Sequence, residues 1–134
     1  MTFSKRLRTD ESGATAVETA FALPALITLI WMIIQLGLVF RAAAGIQHAL
    51  GEGAREATLW PVPTVDTIRD KMNAAVFGIG PGTFAIPAPV EGKADGSDYM
   101  DLRVTYTQST SLLIVPGPTI SVTRTKRVWR SETD

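Results

Sequence analysis

A carboxylate at the lip of an uncharged run is the first group in this chain whose chemistry needs explaining. Glu18 lies five residues after Gly13, and residues 19–40, which follow it, carry no charge at all. An ionised carboxylate in apolar surroundings is costly unless water, a cation or hydrogen-bond donors reach it. On composition alone it reads as an interfacial group that snorkels to water. Other chemistry-bearing types are sparse. There is a single histidine, His48, and no cysteine, which excludes a disulfide framework, a thiolate metal site and a histidine-built cluster. His48 falls on a polar helix face and reads as a solvated side chain. Asp95, Asp98 and Asp101 do not match the spacing of a calcium loop and no closing glutamate follows, so they read as turn residues. Arg124, Lys126, Arg127 and Arg130 with Trp129 form the one dense basic cluster. Such interleaving suits nucleic acid, but thirteen basic residues balance thirteen acidic ones. The cluster therefore reads as a charged strand edge, and no nucleic-acid partner is expected. No nucleophile with its base, phosphate loop or metal set is visible, so neither enzyme activity nor a cofactor is expected.

The elements that must position Glu18 come next. The 22 residues from 19 to 40 make a helix of roughly 33 Å, enough to cross a hydrocarbon core of about 30 Å. Membrane lipid is the first expected partner. A removable secretory signal, with Lys5, Arg6 and Arg8 before it and Ala42-Ala43-Ala44 as a cleavage site, is disfavoured, since such apolar cores run only about 7–15 residues. Release of a secreted chain after Ala44 falls with it. A plain signal anchor fits the length but leaves Gly13 and Glu18 unexplained. Lys5, Arg6 and Arg8 place the N-terminus on the cytoplasmic side and the C-terminal ninety-odd residues outside the inner membrane. Pro24 cannot donate to the Ala20 carbonyl and should loosen the helix there. Trp31, mid-run, is expected against lipid or a neighbouring helix.

Beyond Phe40 the helical period continues as an amphipathic extension, residues 41–60. Ala42, Gly45, Ile46, Ala49, Leu50, Gly53, Ala54 and Ala57 form one face, with Gln47, His48, Glu52, Arg55 and Glu56 on the other. The row Gly45, Ala49, Gly53 and Ala57 has so little side-chain volume that another backbone can approach closely. It is expected to pack helices, either against a neighbouring subunit or beneath the chain's own domain. Trp60-Pro61-Val62-Pro63 breaks the helix. Thr64 caps a second helix with Val65, Ile68, Met72, Ala75 and Val76 as its apolar stripe and Asp66 in its first turn, ending near Gly78.

The rest reads as strand and turn. Residues 83–86 make a short edge strand and residues 91–97 a turn. Met100, Leu102, Val104 and Tyr106 alternate with polar residues, the pattern of a strand wet on one face. Ile120 and Val122 start another strand, whose pattern turns polar at Arg124 and Lys126 through a bulge or by running past the core. The two pair antiparallel. Residues 112–118 are strongly apolar for a connection and are expected either to tuck under the helices or to touch the membrane surface or a partner protein.

Lys5-Arg6-Leu7-Arg8, Ser12-Gly13, Ala14-Thr15-Ala16-Val17-Glu18 and Ala20-Phe21-Ala22-Leu23-Pro24-Ala25-Leu26 resemble the N-terminus of TadE-like pseudopilins, minor pilins of the tight-adherence (Flp-type) type IV pilus systems. Gly51-Glu52-Gly53-Ala54-Arg55-Glu56-Ala57 is similar to the segment after that family's membrane helix, and residues 119–130 to its terminal strand. Thr19 departs from the tyrosine or phenylalanine usual after the glutamate, and Ala14 from the phenylalanine or methionine of type IVa pilins. The resemblance implies that residues 1–13 are a leader cut by a prepilin peptidase between Gly13 and Ala14. Glu18 becomes the fifth mature residue and meets the freed amine of Ala14 on a neighbouring subunit during assembly. It implies a minor pilin that initiates, primes or caps the pilus and supports adhesion, with other pilins and the pilus assembly machinery as partners. The rival is an unprocessed, single-pass anchored extracytoplasmic module; a major filament subunit would be much shorter. The expected fold is α+β: a transmembrane helix over residues 14–40, its amphipathic extension, and an extracytoplasmic unit over residues 61–134 with a short helix and an antiparallel sheet of two to three strands.

Overall fold

One helix dominates the computed structural model, which describes residues 11–112 and 115–130. Lys5, Arg6 and Arg8, read from the resemblance as part of a leader, lie like Leu113 and Ile114 outside the described residues. Helix α1 (Glu11–Ala57) has 47 residues and is therefore about 70 Å long. Its residues are mostly strong helix formers, and it runs through Pro24 without a break. Thr19 and Thr28 donate their hydroxyls to the carbonyls of Thr15 and Pro24, each at 2.9 Å. Polar side chains on an apolar helix thereby find partners within it. The helix closes with tight turns, Thr58 N–H to Arg55 O and Leu59 N–H to Glu56 O, just ahead of the two prolines. Helix α2 (Val65–Ala75) starts at Thr64, whose hydroxyl accepts from Thr67 N–H at 3.2 Å.

Four antiparallel strands follow: β1 (Thr83–Ala85), β2 (Val90–Ala94), β3 (Ser97–Leu112) and β4 (Val115–Arg130). The expectation of two or three is corrected by β2. Its pairing from Val90 opposite Asp101 to Ala94 opposite Ser97 leaves only Asp95 and Gly96 as the turn, with φ of 52° and 79°. This is the two-residue hairpin turn that Asp-Gly favours, because both central residues need positive φ. Strand β3 is the centre of the sheet. Strand β4 pairs along nearly its whole length, while β1 and β2 pair with its two halves. A strand has two edges, so β1 and β2 share the one that β4 leaves free.

One sheet face is covered and the other is open. Ala42, Ile46, Ala49, Leu50 and Ala57 of α1 and Ile68 and Met72 of α2 bury against Met100, Leu102, Val104 and Tyr106 of β3 and Val128 of β4. Each fully buried large side chain contributes about 1.5–3 kcal/mol through area removed from water. The folded unit therefore includes the last third of α1. On β4, Arg124 lies opposite Val104 and Lys126 opposite Leu102, so both stay on the helix side yet remain exposed. No phase shift occurs there; the one irregularity falls between Ser109 and Ser111. The helices cover β3 and leave the β4 edge wet.

Candidate functional site

The N-terminal part of α1 stands clear of the folded unit. In the described chain the helix holds an apolar window with a mean hydropathy of 2.3, of which nothing is buried. Phe21 is 76% exposed and Phe40 72%. A soluble core helix would hide such residues, and more than a dozen contiguous large apolar side chains in water would be a severe liability. The helix is long and apolar enough to cross a membrane.

Gly13, Ala14 and Glu18 lie near the free end of this segment, all exposed. Nothing outside the helix comes within 4 Å of where a Gly13 Cβ would sit. Glycine also lowers helix propensity by about 1 kcal/mol, which weakens the helix at this position. Among the described residues no ion pair or hydrogen bond holds Glu18, and the next ionisable side chain along the helix is Arg41. Over the 23 residues separating them a helix rises roughly 35 Å.

Gly45, Ala49, Gly53 and Ala57 are all buried inside the chain's own domain. A Cβ on Gly45 would collide with the Phe77 carbonyl oxygen, and one on Gly53 would meet the Met72 side chain. This face carries the sheet and α2, so it is not open to a neighbouring subunit. His48, exposed, sets its ring 5.7 Å from that of Phe77.

The feature that sequence reasoning missed lies lower on α1. Trp31 donates its indole N–H to the Ser111 carbonyl at 3.1 Å. Gln35 donates to the same carbonyl through Nε2, and its Oε1 accepts from Ser111 N–H at 2.9 Å. Trp31 therefore faces the tip of the β3–β4 hairpin rather than only lipid or another helix. Thr110 supports the tip by donating its hydroxyl to the Pro118 carbonyl at 2.6 Å. No local signal could have paired residues so far apart in sequence.

At the far end of the hairpin the charges are paired. Arg127 grips Asp101 with two bonds of 2.8 Å and stacks 3.8 Å above the Tyr99 ring, whose edge contact with Trp129 is 5.7 Å between centroids. Those bonds from Arg127 hold the Asp101 carboxyl below its usual range. Lys93 pairs with Asp98 at 3.2 Å and Arg130 with Glu91 at 2.8 Å, around a shallow cavity of about 300 Å³. Gly92 matters here, since a Cβ would strike the Tyr99 ring lying over it. Asp98 and Asp101 each face a cation, and the basic residues at this end of β4 hold the sheet together as much as they face solvent.

Residues 13–55 match the family model described as TadE-like protein. This is the family that the segments around Gly13, Glu18 and Gly51 resemble. No curated protein matches the chain, and no solved structure does.

Proposed function

We propose that this chain, TadE-like over residues 13–55, is a membrane-anchored minor pilin or pseudopilin that helps initiate, prime or cap a tight-adherence pilus. One observation carries the reading: the matched segment is a helix whose N-terminal part no other element of the fold covers. Such a surface requires lipid before assembly and other apolar helices after it. A prepilin peptidase cuts between Gly13 and Ala14 and removes Lys5, Arg6 and Arg8, the charges that hold the precursor at the cytoplasmic face of the inner membrane. The mature helix can then leave the bilayer for the pilus base or filament. Glu18 meets the new Ala14 amine of a neighbouring subunit, which settles the cost of a carboxylate in an apolar bundle. The folded unit stays extracytoplasmic and meets other pilins and the assembly machinery.

Mass spectrometry of the chain recovered from cells with an active prepilin peptidase is the direct test. A mature start at Ala14, lost in Gly13→Ala, is expected. An intact N-terminus in those cells would leave an unprocessed anchored module instead.

A further inference from the structure

Two separate stretches of this chain carry no charge over a long distance, and the fold lays them side by side. Residues 19–40 of α1 are one and residues 105–123 of the β3–β4 hairpin are the other. Their limits lie at one level. Arg41 ends the helical stretch; Gly78 packs on it, and the adjoining Ile79 carbonyl accepts from the Tyr106 hydroxyl at 2.9 Å. On the strands the first charges beyond the stretch are Arg103 and Arg124; Arg124 pairs with Val104, the neighbour of Arg103. From that level both elements run the same way. Trp31 and Gln35 lie ten and six residues before Arg41, about 15 and 9 Å along the helix. Ser111 lies five residues past Tyr106, about 17 Å along a strand. The Trp31 and Ser111 lengths agree, and the bonds from Trp31 and, one turn nearer Arg41, Gln35 to Ser111 close the comparison.

We propose that the hairpin tip is a second membrane-contacting element, seated beside the transmembrane helix in the leaflet nearest the folded domain. The proposal rests on α1 crossing the bilayer. Leu112 and Val115 at the tip are 42% and 57% exposed, and Phe77 and Ile79, on the separate loop beside Arg41, are 43% and 51% exposed. These apolar side chains continue the bare surface of the helix and meet lipid. The rows above the tip, Thr107, Ser109, Thr119 and Ser121, are uncharged but polar and suit the headgroup layer. Strand backbone near hydrocarbon is tolerated only where its polar groups are satisfied, and this tip is built for that. Pro116 and Pro118 have no N–H to satisfy. Thr110 serves the Pro118 carbonyl, and Gln35 and Trp31 serve both backbone groups of Ser111. Trp31 and Gln35, bonded to the tip, then lie in that same leaflet.

The chain has no cysteine, so single cysteines can carry a polarity-sensitive fluorophore in the full chain in phosphatidylethanolamine and phosphatidylglycerol nanodiscs. Leu112→Cys tests the tip, Ala22→Cys, nine residues deeper than Trp31, the span, and Thr125→Cys the charged end of the hairpin. The expected result is blue-shifted emission at Leu112 that lipids spin-labelled high on the acyl chain quench. At Ala22 deeper labels should quench best, and Thr125 should be unaffected. A quenched Ala22 with an unquenched Leu112 would overturn the hairpin proposal and leave the span standing. So would a blue shift at Leu112 without lipid quenching, because a protein would then cover the tip. An unquenched Ala22 would remove both.

Discussion

Gln35 uses both ends of its side-chain amide on one residue, accepting from the Ser111 N–H and donating to the Ser111 carbonyl, 76 positions later in the chain. A carboxamide is well matched to an exposed peptide edge, since it offers one donor and one acceptor side by side. Replacing it with leucine keeps the helix apolar and removes both bonds. Trp31 still serves the carbonyl, but the N–H loses its partner. A buried donor left alone costs about 1–3 kcal/mol, so Gln35→Leu should destabilise the protein by about that amount in thermal unfolding in detergent. Proteolysis at the tip should rise with it. Gln35→Glu keeps the acceptor and should lose less at acidic pH, where the carboxyl also donates.

The amphipathic half of α1 was legible because its partners impose the helical period: Ala42, Ile46, Ala49, Leu50 and Ala57 face one core. The same holds for α2 with its Thr64 cap and for the alternation around Leu102. Strand β2 was not legible. Within Val90–Ala94 the sequence alternates no apolar residues, and the strand exists because β3 offers an edge for it. The signal that could have found it is Asp95-Gly96, a hairpin turn that fixes a strand on each side. The inward half of the hairpin, read as a connection across residues 112–118, is strand up to Leu112 and again from Val115. Its pattern follows no two-residue core period because its lower part leans on Gln35 and Trp31 instead of the core. Gly13 and Glu18 stood out by residue type and by their five-residue spacing, and among the described residues no other element of the fold surrounds them.

The glycines of α1 should separate by what a methyl group would meet. Gly51 has nothing within 4 Å, so Gly51→Ala should gain about 0.5–1 kcal/mol from helix propensity. At Gly53 the obstacle is the end of the Met72 side chain, which can turn aside, and the two effects should nearly cancel. Gly45 faces the Phe77 backbone carbonyl, which cannot yield without moving the loop. Gly45→Ala should cost about 1–3 kcal/mol. Chemical denaturation of the three variants checks the order, and equal stabilities would refute the intrachain packing of this face.

Asp101 and Arg127 should make stability depend on acid. The carboxyl's folded value is lowered, first by the Arg127 hydrogen bonds; burial opposes them as the next largest effect, and the charges of Arg127 and Arg103 lower it further. A lowered carboxyl contributes stability that is complete above its unfolded value of about 3.9 and disappears as pH falls through the folded value. Wild type should therefore melt above Asp101→Asn at pH 7, with the difference closing below about pH 4. The pair is exposed to solvent, so salt should narrow the gap as well. A gap independent of pH between 7 and 2 would show that the amide acts through packing alone.

Gln108 should be replaceable at a gain. It is 1% exposed, its Oε1 lies 2.8 Å from the Tyr106 hydroxyl, and its Nε2 has no partner among the described residues. The Tyr106 hydroxyl has one proton and a second acceptor, the Ile79 carbonyl at 2.9 Å. Methionine has a similar volume and adapts its shape, so Gln108→Met removes the orphan donor while Tyr106 keeps its bond to Ile79. The expected change is a gain of about 1 kcal/mol in denaturant unfolding, since an unsatisfied buried amide costs more than one neutral hydrogen bond returns. Tyr106→Phe should go the other way, leaving Gln108 with neither of its amide groups bonded. If both variants are equally destabilised, Gln108 Nε2 has a partner in the folded protein, and a water or lipid headgroup held between Gln108 and Tyr106 becomes the group to locate.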